Sequence, residues 1–85
     1  MGQPINFGVI GCGRIGRIHA ENLATRIPGA RLVAVADVAE IAARDVAARL
    51  YVKMVSTDYR KLLADSAIDA VVICSSTYTH SQIIQ

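Results

Sequence analysis

The chain of 85 residues has no tryptophan, one phenylalanine and only two cysteines, and each scarcity removes a class of protein. With three tyrosines as the only other aromatics, there are few flat surfaces on which exposed bases can stack, and the nine Lys and Arg residues are scattered. A formal charge of +2 is therefore no basis for a nucleic-acid partner. Cys12 and Cys74 stand 62 positions apart, with no Cys-x-x-Cys pair and no Cys/His cluster at ligand spacing. Neither a metal site nor a disulfide framework is expected, and a reducing compartment fits. The longest unbroken apolar runs, Leu32 to Ala36 and Ala70 to Cys74, have five residues each, against the ~20 that a membrane-spanning helix needs. The opening residues carry neither a basic-then-apolar leader nor a myristoylation pattern, so the expectation is a cytoplasmic chain with no membrane partner. Apolar residues make up 53% and charged residues 19%, which argues for a packed core and against disorder.

What is present alternates between two periods. Ile5 to Ile10, Leu32 to Ala36 and Ala70 to Cys74 are short runs rich in Val and Ile, the pattern of parallel strands covered on both faces. Val52 to Val55, broken by Lys53, reads as an edge strand. Projection of Arg14 to Ile27 at helical spacing puts Gly16, Ala20, Leu23 and Ile27 on one face, with Arg14, Arg17, Glu21 and Thr25 opposite. A second helix runs from Ala39 to Leu50. A third, capped by Ser56, Thr57 or Asp58, reaches Ala64 with Leu62 and Leu63 inward. A fourth, capped by Ser76 or Thr77, contains Ile83 and Ile84. This β, α, β, α, β, α, β, α order predicts an α/β fold: part of a doubly wound parallel sheet, strand order 3-2-1-4, helices on both faces. Ligands of such sheets bind beyond the carboxyl ends of the strands, where the strand order reverses.

The sharpest chemical signal is Gly11-Cys12-Gly13-Arg14-Ile15-Gly16. A lone GxGxxG is weak, but this one ends an apolar strand, opens an amphipathic helix and precedes Asp37 by 21 residues. Gly11 suits the tight turn, Gly13 leaves the backbone open to a pyrophosphate, and Gly16 falls on the inward helix face where a missing side chain permits close packing. The N–H groups near Arg14 and Ile15 would then face a diphosphate. Asp37, at the carboxyl end of the second strand, suits the two ribose hydroxyls of an adenosine and would repel a 2′-phosphate. Val38 and Ala39 follow it with no Arg or Ser to hold such a phosphate, which favours NAD over NADP. Two alternatives stay open: Asp37 as a cap of the second helix, and Arg14 as a solvated residue and not a phosphate ligand. The absence of GxxxxGK[ST] excludes a P-loop.

Beyond the glycine motif, Val33-Ala34-Val35-Ala36-Asp37, Thr57-Asp58-Tyr59 and Asp69-Ala70-Val71-Val72-Ile73-Cys74-Ser75-Ser76-Thr77-Tyr78-Thr79-His80 recur in order, and together they resemble the glucose–fructose oxidoreductase and inositol dehydrogenase family. The resemblance implies the NAD-holding Rossmann portion of a polyol or sugar dehydrogenase, with Ser75 and Thr77 as further polar positions beside the dinucleotide. It also exposes departures. The family's catalytic lysine, in a Glu-Lys-Pro segment, and its substrate domain have no counterpart in residues 1–85, so no catalytic residue is assigned and the chain is expected not to turn over alone. Lys53 and Lys61 read as surface groups, and His19 and His80 as structural residues. Tyr51 stands where the family usually has glycine, which predicts a strained or altered helix end. Residues 1–85 thus read as a truncated dinucleotide-binding domain whose fourth strand lacks an outer neighbour. A homodimer through that edge follows, together with an alternative in which the chain is a self-associating, non-enzymatic folding unit with vestigial nucleotide binding.

Overall fold

A computed structural model describes residues 4–74 and 82–84. Strand β1 (Ile5–Ile10) leads into helix α1 (Arg14–Thr25), strand β2 (Ala30–Ala36), helix α2 (Glu40–Leu50), strand β3 (Met54–Ser56), helix α3 (Arg60–Ala64), strand β4 (Ala70–Ile73) and strand β5 (Gln82–Ile84). The sheet order is β3-β2-β1-β4-β5. The first four strands are parallel in the predicted 3-2-1-4 order. No helix among the described residues is long and apolar enough to cross a membrane.

Side chains alternate along β1, sending Phe7 and Val9 to one face and Gly8 and Ile10 to the other. On the first face α1 contributes Ala20 and Leu23, and α2 contributes Ala43, Val46 and Ala47, against Val9, Leu32, Val35 and Val72. On the other, Leu62 of α3 packs on Ala34 and Ala36, flanked by Ile10, Val33 and Met54. Gly8 makes room for that contact: a Cβ there would stand 3.0 Å from Leu62 Cδ2. Leu32 and Val35 share a face although they are three residues apart, which strict alternation forbids. The pairing explains it, because Phe7 faces Leu32 while Gly8 faces Ala34. Val33 is an inserted bulge residue that resets the alternation before Asp37.

Three expectations are corrected. Helix α1 ends at Thr25, and Ile27, expected on its inward face, lies beyond the helix and is about half exposed. Leu63 also faces solvent, because the single turn of α3 buries only Leu62. Of the three cap candidates for α3, Asp58 fills the role: its Oδ1 accepts the Arg60 N–H at 3.0 Å and its carbonyl accepts the Lys61 N–H at 3.1 Å. The third correction is the largest. Where a helix containing Ile83 and Ile84 was expected, β5 runs antiparallel to β4, with Val72 opposite Ile83. A bare edge of β4 leaves backbone donors and acceptors without partners, and pairing with a β-branched segment satisfies them. The fourth-strand edge expected to join two copies is thus occupied by the chain's own strand.

Candidate cofactor site

The cleft begins where β1 runs out. Gly11 turns the chain with φ of +98°, and its N–H donates to Ala36 O at 2.7 Å, tying the loop to the end of β2. A Cβ on Gly11 would overlap the Cys74 carbonyl, and one on Gly16 would overlap the Gly11 carbonyl. Both residues are glycine because backbone meets backbone there. Gly13 differs: a Cβ on it would meet nothing within 4 Å. Its open side belongs to the cleft.

Helix α1 starts at Gly13, whose carbonyl accepts the Arg17 N–H at 2.9 Å. The N–H groups of Arg14, Ile15 and Gly16 precede that bond, so the helix gives them no acceptor of its own. No side chain caps this end and no acid lies in its first turn. Instead a cation, Arg14, stands at the positive end of the helix dipole, an arrangement that an anion in front of the helix would relieve.

Asp37 closes the other side. Its Oδ2 accepts the Cys12 N–H at 2.6 Å and its Oδ1 accepts the Ala39 N–H at 2.8 Å. The helix-cap alternative is thereby decided: Ala39 is the residue that starts α2, without a side-chain bond, and Asp37 makes a tight turn just ahead of it. Two amides fix the carboxylate plane, and each oxygen keeps acceptor capacity toward the cleft.

Together these groups line one open cleft of about 610 Å³. Gly11, Gly13, Arg14, Ile15, Gly16 and Asp37 all contribute to its wall. Ser75 and Thr77, and with them His80, lie outside the described residues. His19 is half-buried on α1 and does not line the cleft, while Lys53 and Lys61 are exposed away from it. Val38, Thr57 and Tyr59 are among the lining residues that were not assigned to the site from the sequence. The Thr57-Asp58-Tyr59 motif was the available signal, but only the 3-2-1-4 order brings the end of β3 beside Asp37.

Cys12, between the two glycines, is 1% exposed, and its Sγ donates to Ala36 O at 3.6 Å. Burial, reinforced by the negative charge of Asp37 and only partly offset by Arg17, pushes its thiol up to about 11. At neutral pH it is a packed neutral group and not a nucleophile. Among the described residues no group of His, Cys, Asp and Glu is arranged to hold a metal ion.

Residues 5–85 match the family described as an oxidoreductase family with an NAD-binding Rossmann fold. The chain is 46% identical over 80 residues to myo-inositol 2-dehydrogenase of Thermotoga maritima, covering 94% of this chain and 24% of that protein. It is 42% identical over 84 residues to the NAD⁺-dependent scyllo-inositol 2-dehydrogenase of Bacillus subtilis, covering 99% and 25%. The structure of scyllo-inositol dehydrogenase from Lactobacillus casei with bound NAD(H) and scyllo-inositol superposes with a TM-score of 0.82 at 36% identity, covering 92% of this chain and 23% of that one. The chain therefore spans about a quarter of the length of these relatives.

Proposed function

The chain belongs to this oxidoreductase family with an NAD-binding Rossmann fold, and from that premise we propose that its cleft holds the dinucleotide of a polyol dehydrogenase acting on inositols or related sugars. NAD, when bound, supplies a hydride acceptor for a carbinol carbon of the substrate. The residues of the chain bind and orient it. The Arg14, Ile15 and Gly16 amides hold the diphosphate over the open side of Gly13, Arg14 adds charge there, and Asp37 receives the adenosine ribose hydroxyls. Ser75 and Thr77 complete the polar lining in this reading.

The observation that supports it most is the carboxylate of Asp37, locked by two amides on the same cleft as the uncapped helix end and the open Gly13. A carboxylate so held cannot swing away from a 2′-phosphate, and this favours NAD over NADP. Calorimetric titration tests it. NAD and ADP-ribose should bind, NADP at least about tenfold more weakly, and Asp37→Asn should narrow that discrimination. Equal affinity of the unaltered protein for NAD and NADP, or no binding of either, would overturn the assignment.

The described lining of the cleft contains no lysine or histidine to take up the substrate's hydroxyl proton. We infer that residues 1–85 bind cofactor without turning over, and that mixing them with NAD and myo-inositol yields no NADH.

A further inference from the structure

The two groups assigned to the ligand stand on different helices, and a closed ring of bonds connects them. The diphosphate amides open α1, and Asp37 stands just ahead of α2. Asp37 Oδ1 accepts the N–H of Ala39, the residue that starts α2, and its Oδ2 accepts the N–H of Cys12 in the glycine loop. The next residue of that loop, Gly13, offers its carbonyl to the Arg17 N–H at 2.9 Å. The side chain of Arg17 then crosses to α2, where its Nη2 lies 2.9 Å from Asp45 Oδ2. Arg49 steadies the same carboxylate, with Nε at 3.2 and 3.3 Å from its two oxygens. Neither Arg17 nor Asp45 lines the cleft.

The buried residues of the two helices are mostly small: Gly16 and Ala20 on α1, Ala43 and Ala47 on α2. Such side chains make shallow ridges, which resist the sliding of one helix along another less than long ones do. Among the described residues the Arg17–Asp45 contact is the one ion pair that joins α1 to α2. The charge of Arg17 also reaches the glycine loop, where it partly offsets the rise of the Cys12 thiol.

We propose that Asp45 is a positioning residue: through Arg17 it sets the spacing between the diphosphate amides of α1 and the Asp37 carboxylate, and with it the affinity for a ligand that engages both. This rests on the cofactor reading above, and it adds two residues that touch no ligand. Coupling of this kind is reciprocal, so a ligand that spans the two groups tightens the ion pair in turn.

The sign of the effect separates positioning from plain electrostatics. Asp45→Asn removes a negative charge from the surroundings of an anionic ligand, which by Coulomb attraction alone would leave binding unchanged or tighten it. Positioning predicts the opposite: ADP-ribose should bind about two- to fivefold more weakly, the range expected from a partly exposed ion pair. Asp45→Glu, which keeps the charge, should return the affinity toward that of the parent. Glu40→Gln, which removes a carboxylate from an ion pair on the same helix outside the ring, should not weaken binding. In an Arg17→Gln background, Asp45→Asn should weaken it no further. Calorimetric titration reads all of these at a temperature where circular dichroism shows each variant folded. A second measurement needs no variant: in the NMR spectrum of the unaltered protein, ADP-ribose should slow the exchange of the Arg17 guanidinium protons with water. If ADP-ribose binds but that exchange is unchanged, or Asp45→Asn binds as tightly as the parent, or Glu40→Gln weakens binding equally, the positioning role is overturned while the cofactor reading stands. If the unaltered protein does not bind ADP-ribose, the cofactor reading falls and the positioning role with it.

Discussion

At the scale of single residues, three glycines five positions apart at most have different reasons to be glycine. The difference can be measured. Gly11→Ala meets both a left-handed φ and the Cys74 carbonyl, and Gly16→Ala meets the Gly11 carbonyl. Overpacking of this kind costs about 1–3 kcal/mol or more, a large part of the stability of so short a chain. Both variants should therefore lose cooperative thermal unfolding or melt well below the parent. Gly13→Ala meets nothing and should melt like the parent, yet bind NAD more weakly because its methyl group occupies the diphosphate's approach. A Gly13→Ala variant that binds normally would remove Gly13 from the site. Cys12 gives the second residue-scale prediction. Its thiol is raised from 9.0 in the unfolded chain to about 11 in the fold, so the folded state keeps a proton that the unfolded state gives up. The associated stability is fully present below pH 9, falls as pH rises from 9 to 11, and is gone above that, a loss on the order of 2 kcal/mol. Urea unfolding at pH 7.5, 9 and 10.5 should show this decline, and Cys12→Ala should show less of it.

At the scale of elements, the end of α2 holds visible strain. Tyr51 adopts φ of 58° and ψ of 40°, the one positive-φ residue other than glycine among those described, and it is 93% exposed. A side chain in that region costs ~1–2 kcal/mol, and with so little of Tyr51 packed, Tyr51→Gly forfeits almost no contact. Against the ~0.5–1 kcal/mol of extra chain entropy that glycine loses on folding, the substitution should still stabilise the protein by a few tenths to ~1 kcal/mol, read as an upward shift in the urea midpoint. A lower midpoint would show that the ring is held by something else. This strain was legible through the resemblance, because Tyr51 stands where the family usually has glycine, the residue that a left-handed helix end favours. The strands, the sheet order and the glycine turn were equally legible, because each rests on local pattern: apolar runs, a helical stripe, small residues at fixed spacing. The bulge at Val33 was not, as it exists only in the pairing of β1 with β2. Nor was β5, since Ile83 and Ile84 fit a helix or a strand, and the decision belongs to the edge of β4. That dependence is testable by chain length. A variant ending at Ser81 loses the strand that covers β4 and should self-associate at micromolar concentration in light scattering, whereas the full chain does so less. Equal association of both would mean that β5 does not protect the edge.

At the scale of the whole molecule, the core is made mainly of Ala and Val, and one end of the sheet remains an open cleft. The radius of gyration, 11.5 Å, matches the ~12 Å of a well-packed chain this long. Small side chains bury little area each, which leaves a narrow margin of stability. The two sheet faces answer to hydrophobic patterning, whereas the cleft depends on how separate segments meet: Cys12 with Asp37, Gly11 with Cys74, Asp37 with Ser56. For that reason the motif residues were readable one by one, but the part played by the residues after β3 was not. A ligand that spans β1, β2 and β3 joins the very segments that only the fold brings together, so it should act on the stability of the entire chain. Binding to the folded state alone contributes ~2.7 kcal/mol at a concentration 100 times Kd, and at ~4–8 °C per kcal/mol for a domain of this length Tm should rise by ~10–20 °C. Asp37→Ala at the same NAD concentration should show a clearly smaller rise, because fewer of its molecules are occupied. A calorimetric trace in which saturating NAD leaves Tm unmoved would mean that the cofactor grips no more than one segment, and the cleft would then not be the unit that the fold assembles.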